Sequence, residues 1–375
     1  MSARSATNYP RCLGPRGLFI GAATMMCLMI LAKPIEAQST LPPVRYQVQL
    51  WTVPGSKSDE PLDMNNRQQT VGSSLRDLDG NGVGDRIIGF LYDPEIDPEI
   101  GVDLNEIVVN IPVGWHIRKA SAINDVGQIA AYIEPTGSPS LSVLQAVVID
   151  MNTLLPTLEV IPDRGFTVYS VTGNINNFGD VTARYKKADG TWGHYVYDGV
   201  TKAISDLGVS AANSGSNPQI NDNGVIIGQL SNGNGYRKSL SGGFETFAGL
   251  RPHAINEDNA FCGTAAVTTT RPRATTQYAF VYSTSRTLNK FSSGANDLNS
   301  SLDSILVHDR LNHRTLGNFK IMDLLDKRAP NPVLTNLICR KMTDRVPGIN
   351  FPILCGWTSF GGIAMGVHLI PVPAP

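Results

Sequence analysis

The apolar positions of this chain fall in short runs separated by clusters of Asn, Asp and Gly, and the arrangement recurs. AINDVGQIAA (Ala122–Ala131) has worn copies in DMNNRQQTVG (Asp63–Gly72), NINNFGDVTA (Asn174–Ala183), QINDNGVIIG (Gln219–Gly228) and AINEDNAFCG (Ala254–Gly263). A sixth copy, KMTDRVPGINFPILCG (Lys341–Gly356), is stretched by an insertion. Asn and Asp side chains bond nearby backbone amides and bend the chain, and Gly takes positive φ without steric cost. Each copy therefore predicts a hairpin with a loop of about three to five residues. Gly72, Gly228, Gly263 and Gly356 end the second run, where a side chain would hinder the approach of a neighbouring sheet.

Behind each hairpin lies an aromatic or β-branched run: Ile87–Tyr92, Ala146–Ile149, His194–Tyr197, Ala279–Tyr282 and Met365–Ile370. Such residues suit strands. A fourth run often follows, as at Ala203–Leu207 and Thr287–Phe291, so the unit is a four-stranded meander. The equivalent residues Asn65, Asn124, Asn176, Asn221 and Asn256 are 59, 52, 45 and 35 positions apart, and Thr343 stands 87 further on. Propeller repeats need about 40–50 residues per blade. The pattern predicts an all-β fold, a β-propeller of six four-stranded blades, with seven as the alternative if the long last step hides a unit. Tyr46–Val53 reads as a fourth strand and Gly366–Val372 as a third, so the N- and C-terminal strands are expected to pair and close the ring. The stretch at about 296–347 has clustered Leu, Lys, Arg and Asp and reads as an insertion, with a short helix within Lys320–Pro330.

The N-terminus differs from all of this. Arg4, Arg11 and Arg16 precede an apolar stretch, Leu18–Ala32, and a small residue at Ala37. That is the pattern of a secretory signal peptide over residues 1–37, cleaved near Ala37, and the apolar stretch is short for a bilayer span. The expectation is a protein secreted, periplasmic or at the cell surface, without a stable membrane span, whose residues 38–375 form one propeller domain. Beyond residue 37 there are 27 basic and 31 acidic groups, net −4, with no basic run to suit nucleic acid. Three cysteines remain there. Cys339 and Cys355 flank the sixth hairpin and could form a disulfide in an oxidising compartment. Cys262 holds the same motif position as Cys355 and reads as a small buried hydrophobe. No CxxC pair exists to bind zinc.

GFLYD (Gly89–Asp93) before VDLNEI (Val102–Ile107), and AFVYS (Ala279–Ser283) before NDLNSSLD (Asn296–Asp303), together with SDLG (Ser205–Gly208), resemble the HAF-type extracellular repeats. That family pairs an INDxGxVVG hairpin with an HAFLY strand and a DLG or DLN turn. The signature His is replaced here by Gly89 and Tyr278, and Thr343 stands where Asn is expected. The resemblance implies an exported propeller-like fold and no particular chemistry. The tail Val372–Pro375 (VPAP) resembles a remnant of a PEP-type C-terminal sorting signal, without its apolar helix and basic tail.

The sharpest chemical motif is DLDGNGVGD, Asp77–Asp85. Asp77, Asp79, Asn81 and Asp85, with the backbone carbonyl of Val83, have the spacing of a short calcium loop, with Gly82 at the sharp turn. Ile88 stands where an EF-hand carries its last Glu. The competing reading is a polar hairpin tip. Asp93–Glu99 could add oxygens, but Pro94 and Pro98 suit a rigid exposed loop. No G-x-S-x-G elbow is present. His116, His194, His253, His308, His313 and His368 are scattered, and His308 and His313 bracket Asp309 and Arg310 without a third ligand at useful spacing. Trp51, Trp115, Trp192 and Trp357 suit core packing better than a sugar platform. The reading is a non-catalytic binding or scaffolding module for an extracellular glycan or protein, with calcium as the one candidate cofactor. The alternatives are a carbohydrate-active hydrolase or lyase on the same fold, whose carboxylates would converge from separate blades, and a structural surface protein.

Overall fold

The computed structural model describes residues 44–374, apart from 138–142, 163–169, 213–216, 271–272, 284–287, 292–294, 307–308, 327–333 and 361. Residues 1–37, expected to be a signal peptide, lie outside the described residues. The chain is all-β. A first strand, β1 (Val44–Trp51), precedes six four-stranded antiparallel meanders. Meander I holds β2 (Ser56–Met64), β3 (Thr70–Arg76), β4 (Arg86–Tyr92) and β5 (Gly101–Asp103). Meander II holds β6 (Trp115–Ile123), β7 (Gln128–Pro135), β8 (Gln145–Asp150) and β9 (Thr157–Val160). Meander III holds β10 (Ser170–Ile175), β11 (Val181–Lys186), β12 (Trp192–Tyr197) and β13 (Ile204–Asp206). Meander IV holds β14 (Gln219–Ile220), β15 (Val225–Gln229), β16 (Gly235–Ser239) and β17 (Phe244–Phe247). Meander V holds β18 (Leu250–Ile255), β19 (Phe261–Thr270), β20 (Arg273–Tyr282) and β21 (Leu288–Phe291). Meander VI holds β22 (Ala295–Leu298), β23 (Ser304–Leu306), β24 (Arg310–His313) and β25 (Gly317–Lys320). Then come β26 (Thr335–Arg345), β27 (Pro352–Phe360) and β28 (Ile363–Pro373), and β1 pairs with β28 as the fourth strand of meander VII, which a parallel contact of β28 with β2 joins to meander I in one eight-stranded sheet. The helix α1 (Leu104–Ile107) is one turn, capped by Asp103, and no helix among the described residues is long and apolar enough to cross a membrane.

The stretch at about 296–347, expected to be an insertion, is instead largely repeat. It contains meander VI, a 3-10 turn at Ile321–Leu324 and the start of β26. Meander VI escapes a motif search because its hairpin puts Leu302 at φ 64°, where the other copies use Gly or a polar residue. That position needs the left-handed region, which favours Gly and Asn.

The core lies within and between the meanders. Fully buried Tyr46 of β1 packs with Leu337, Met342 and Leu369. The motif alanines Ala122 and Ala130 pack with Val181, Tyr185 and Tyr197 of meander III. Gly72, Gly263 and Gly356 lie opposite bulged positions of the preceding strand in the same meander, and a Cβ would meet the carbonyls of Glu60, Arg251 and Ile338. The close approach read from the sequence is real, but it comes from the neighbouring strand rather than a neighbouring sheet.

The pairing of β1 with β28 runs from Val44 opposite Pro373 to Trp51 opposite Gly366. Trp51 lies against the bare backbone of Gly366, stacks on Tyr92 of meander I at 4.3 Å and meets Phe90 edge-on at 5.2 Å. Its ring therefore joins meander VII to meander I. A methyl at Gly366 would fall inside the indole. Gly366→Ala should lower unfolding free energy by about 1–3 kcal/mol, the usual effect of overpacking a tight core. Urea denaturation checks this, and a variant as stable as the parent would remove Trp51 as the wedge between the two meanders.

Candidate functional site: the ladder cavity and the acidic loop

Six hairpins share one hydrogen-bonding plan. In each, the Asn amide N–H donates to the carbonyl four residues on, as in Asn124 to Gln128 at 3.0 Å, and the Asn carbonyl accepts from the residue three on, as from Gly127 at 3.2 Å. The Asn Oδ1 accepts the N–H of the fifth residue: Gln69, Gln128, Asp180, Val225, Ala260 and Asp303 donate to Asn65, Asn124, Asn176, Asn221, Asn256 and Asn299. The fourth residue has positive φ in every copy: Gln68, Gly127, Gly179, Gly224, Asn259 and Leu302.

The other end of each carboxamide leaves its own hairpin. Nδ2 of Asn65 donates to the Asn124 carbonyl (2.9 Å), Asn124 to Asn176 (2.8 Å), Asn176 to Asn221 (3.2 Å), Asn221 to Asn256 (2.8 Å) and Asn256 to Asn299 (3.0 Å). A ladder thus steps from meander I to meander VI through buried amides. Only Asn fits these duties, because the position needs an acceptor for the hairpin and two donors on one short, neutral side chain.

The next residue of each hairpin forms a second course. The N–H of Asn66 donates to Asp125 (2.8 Å), Asp125 to Asn177 (2.9 Å), Asn177 to Asp222 (2.7 Å) and Asp222 to Glu257 (2.8 Å). Ser300 N–H donates to Asp344 (2.9 Å), and Asp344 N–H donates to Oδ1 of Asn66 (2.9 Å). That last bond links meander VII to meander I. Residues of all seven meanders line one cavity of about 200 Å³.

In meander VII, Thr343 replaces the ladder Asn. Its hydroxyl stays local, accepting Ile353 N–H and donating to the Asp344 carbonyl. Lys341, two residues earlier, bridges the gap. Its Nζ lies 3.1 Å from Asp63 of meander I and 3.6 Å from Asp297 of meander VI. Both carboxylates also accept backbone N–H groups, from Ile123 and Met342. Burial pushes the Asp297 carboxyl above its ordinary range, against the pull of Lys341. Against its own desolvation, Lys341 is held above the usual lysine range by Asp297 and Asp63. Two carboxylates and one ammonium thus converge in the cavity, but as a locked ion cluster.

At the rim, partial burial and then the charges of Asp222, Asp125 and Asp344 push Glu257 up to about 7, opposed by the Asp222 N–H. The mouth carries four carboxylates.

The acidic loop lies apart from these courses. Asp77, Asp79 and Asp85 place one carboxylate oxygen each within 4.8 Å of the others. Asp77 accepts the N–H groups of Gly80, Asn81 and Gly82, and Asp85 accepts that of Leu78. Against desolvation, the Gly82 N–H, Lys57 and the Gly80 N–H hold Asp77 below the usual carboxylate range. Asn81 donates to Asp79 and accepts from Val83 N–H. The three carboxylates match the hard-oxygen donor set of calcium. Lys57, 3.2 Å from Asp77, opposes a cation there.

The expected disulfide is absent: Cys339, Cys355 and Cys262 are free and buried. Cys339 stands opposite Gly356, and Cys355 opposite Lys341, so the two thiols fall on opposite faces of the β26–β27 pair. Cys339 packs with Tyr46, and Cys355 with Met64 and Ile353. Burial pushes the Cys355 thiol up to about 12. Apart from His116, which lies 3.2 Å from Glu134, the described histidines serve packing. His368 meets Thr70 Oγ1 at 2.8 Å and His194 meets the Tyr236 hydroxyl at 2.7 Å, and burial pulls both down to about 3. His253 and His313 face the carbonyls of Ala295 and Asn350, and His308 lies outside the described residues. In the Asp93–Glu99 loop, Asp93 and Asp97 accept the backbone N–H groups of Glu95 and Glu99, as a rigid turn requires. Trp51 is core, and Trp192 lies under the Arg184 guanidinium at 4.7 Å.

Lys341→Met should cost about 3–5 kcal/mol, because it leaves two buried carboxylates without a counter-charge. Lys341→Met combined with Asp63→Asn and Asp297→Asn should recover most of that loss in chemical denaturation. Glu257 gives a pH signature. Its folded pKa exceeds the unfolded value, so its contribution is complete below about pH 4 and is lost as pH rises towards 7. Glu257→Gln should flatten the fall in stability across that window, and an unchanged profile would remove the charge crowding at the rim.

No protein-family model and no curated protein matches the sequence. Among solved structures, the β-propeller domain of the Trilobed protease from Pyrococcus furiosus, described as having an open velcro topology, is similar, with a TM-score of 0.54. The identity is 9%, and the match covers 85% of this chain and 96% of that one. A chain of a Mitotic Checkpoint Complex matches with a TM-score of 0.47 at 10% identity, over 86% of this chain and 94% of that one. A Trypanosoma rangeli sialidase mutant displaying trans-sialidase activity matches at 0.43 and 8% identity, over 88% and 59%. The last two are too loose to argue from. The first shows a β-propeller fold and nothing of the chemistry.

Proposed function

We propose that this protein is an exported, non-catalytic propeller module of seven blades that binds or scaffolds an extracellular glycan or protein, with a calcium ion at the Asp77–Asp85 loop. The observation that carries the reading is the use of the cavity's polar groups. Asp63, Asp125, Asp222, Glu257, Asp297 and Asp344 each accept a backbone N–H from a neighbouring turn. Glycoside cleavage needs an acid and a second carboxylate free to meet the sugar, and these carboxylates hold hairpins together. Seven blades are supported by the seven meanders, and ring closure by the β1–β28 pairing and the Asp344–Asn66 bond. Export rests on the N-terminal pattern and the repeat resemblance.

In the acidic loop, Asp77, Asp79 and Asp85 would hold the calcium, with Asn81 and the Val83 carbonyl as further oxygens. Bound calcium would tie the β3–β4 connection into one conformation. A ligand that binds only the folded state adds about 2.7 kcal/mol at a concentration a hundred times its dissociation constant. Millimolar calcium should therefore raise Tm by several degrees, magnesium should not, and Asp79→Asn with Asp85→Asn should abolish the rise. The same preparations should bind ligands on a glycan array while releasing no reducing sugar from a panel of polysaccharides. Hydrolysis that disappears in Asp297→Asn would overturn the non-catalytic reading, and a calcium-blind melt would end the ion's part in it.

A further inference from the structure

A second cavity, of about 410 Å³, lies between meanders I and II. Its volume is that of a small-molecule pocket. Leu78, Val109, Ile111 and Trp115 give it an apolar wall, and Arg86, His116, Asn105 and the Arg76-paired carboxylate of Asp103 give it polar groups. Leu78 and Val109 are more than half exposed, so the wall faces solvent.

The polar side of this pocket is unusually short of partners. Arg86 stands directly opposite Arg76 in the β3–β4 pair. Like charges directly opposite on adjacent strands repel. Arg76 has acceptors at 2.8 Å, Asp103 and Glu106, yet its buried Nε has no partner. Arg86 forms no ion pair among the described residues. His116 is 7% exposed, its Nε2 lies 3.2 Å from Glu134, and the Ile87 backbone also faces its ring. Glu134 is itself held by Arg118 at 2.6 Å. The Asn105 side chain is fully used by Asp103 and Ile117. Arg86 is thus the cation beside the cavity that lacks a counter-charge among the described residues, and the buried Arg76 Nε is a donor left over behind it. The missing element is a negatively charged hydrogen-bond acceptor, set next to an apolar wall.

We propose that this pocket binds a small organic anion, a carboxylate on an aliphatic or aromatic body, with the carboxylate on Arg86 and the body against Leu78, Ile111 and Trp115. A guanidinium pairs a carboxylate in a planar, bidentate manner that an ammonium cannot reproduce. The anion supplies Arg86 with the counter-charge that Arg76 already has in Asp103 and Glu106. The site is separate from the ladder cavity but borders the acidic loop, because Leu78 lies within Asp77–Asp85 and Arg86 directly follows it, so binding is measured without calcium.

Octanoate and its uncharged analogue octanamide test this on the full chain, by calorimetry and by Trp115 fluorescence, since octanoate is spectroscopically silent. Octanoate should saturate at millimolar concentration or below and bind about tenfold tighter than octanamide, the effect of one charge-assisted hydrogen-bonded pair. Arg86→Gln should bring octanoate down to the octanamide level without lowering Tm, because it removes a like-charge neighbour. Val113→Asp, at a fully exposed rim position, should weaken octanoate without touching the fold. Trp115→Phe should abolish the fluorescence change while leaving calorimetric binding in place. Absence of saturation by octanoate, or equal affinities of octanoate for the parent and Arg86→Gln proteins, would overturn the proposal.

Discussion

The structure depends on one side chain used at both ends. A buried Asn carboxamide accepts the N–H that closes its own hairpin, and donates to the backbone of the next one. Leaving such a buried group unmade costs about 1–3 kcal/mol, so the turn and its neighbour are stabilised together. Local conformation and the packing of successive meanders are set by the same atoms. The hairpin needs a left-handed fourth residue, and the ladder needs the Asn. Everything else in the repeat, from loop length to strand pairing, can drift, which explains how copies with little common sequence remain in register.

The place where the rule is broken is equally informative. Thr343 has no amide to offer, so the ladder stops at Asn299 among the described residues. Lys341 supplies a longer arm and reaches two neighbours at once. The bidentate pairing of Arg345 with buried Asp303 adds a second tie between meanders VI and VII. At this seam, directional amide bonds are exchanged for charge. Paired charges in a largely buried place tolerate small shifts in geometry better than a carboxamide of fixed length, and this is where the chain's two ends meet.

The all-β class, the meander unit and the partnership of the first and last strands were legible in the sequence, because period, turn residues and aromatic runs agree. Meander VI was not, because Leu302 occupies a position the eye searches for Gly, and NDLN looked like a connecting turn rather than a ladder Asn. The acidic loop was visible as a spacing, and the structure does bring its three aspartates together. The disulfide reading failed because flanking a hairpin does not settle which face a side chain takes, and a bulge between Cys339 and Lys341 alters the count. The anion pocket could not be read at all. Arg76, Arg86 and His116 meet through cross-strand and inter-meander contacts that no linear spacing encodes.

The wedge formed by Trp51 ties the earliest described strand to one of the last. During synthesis, β1 leaves the ribosome long before β28 exists, and its partner surface is missing until all the intervening strands have been made. Native assembly therefore has a terminal step of very long loop closure, expected to be slow compared with the local hairpins. Until that step, β1 is an unpaired strand with an exposed indole, a natural target for a holding chaperone. A circularly permuted chain that opened between two central meanders would carry the same seam as an internal hairpin, and would test whether assembly waits on the ends.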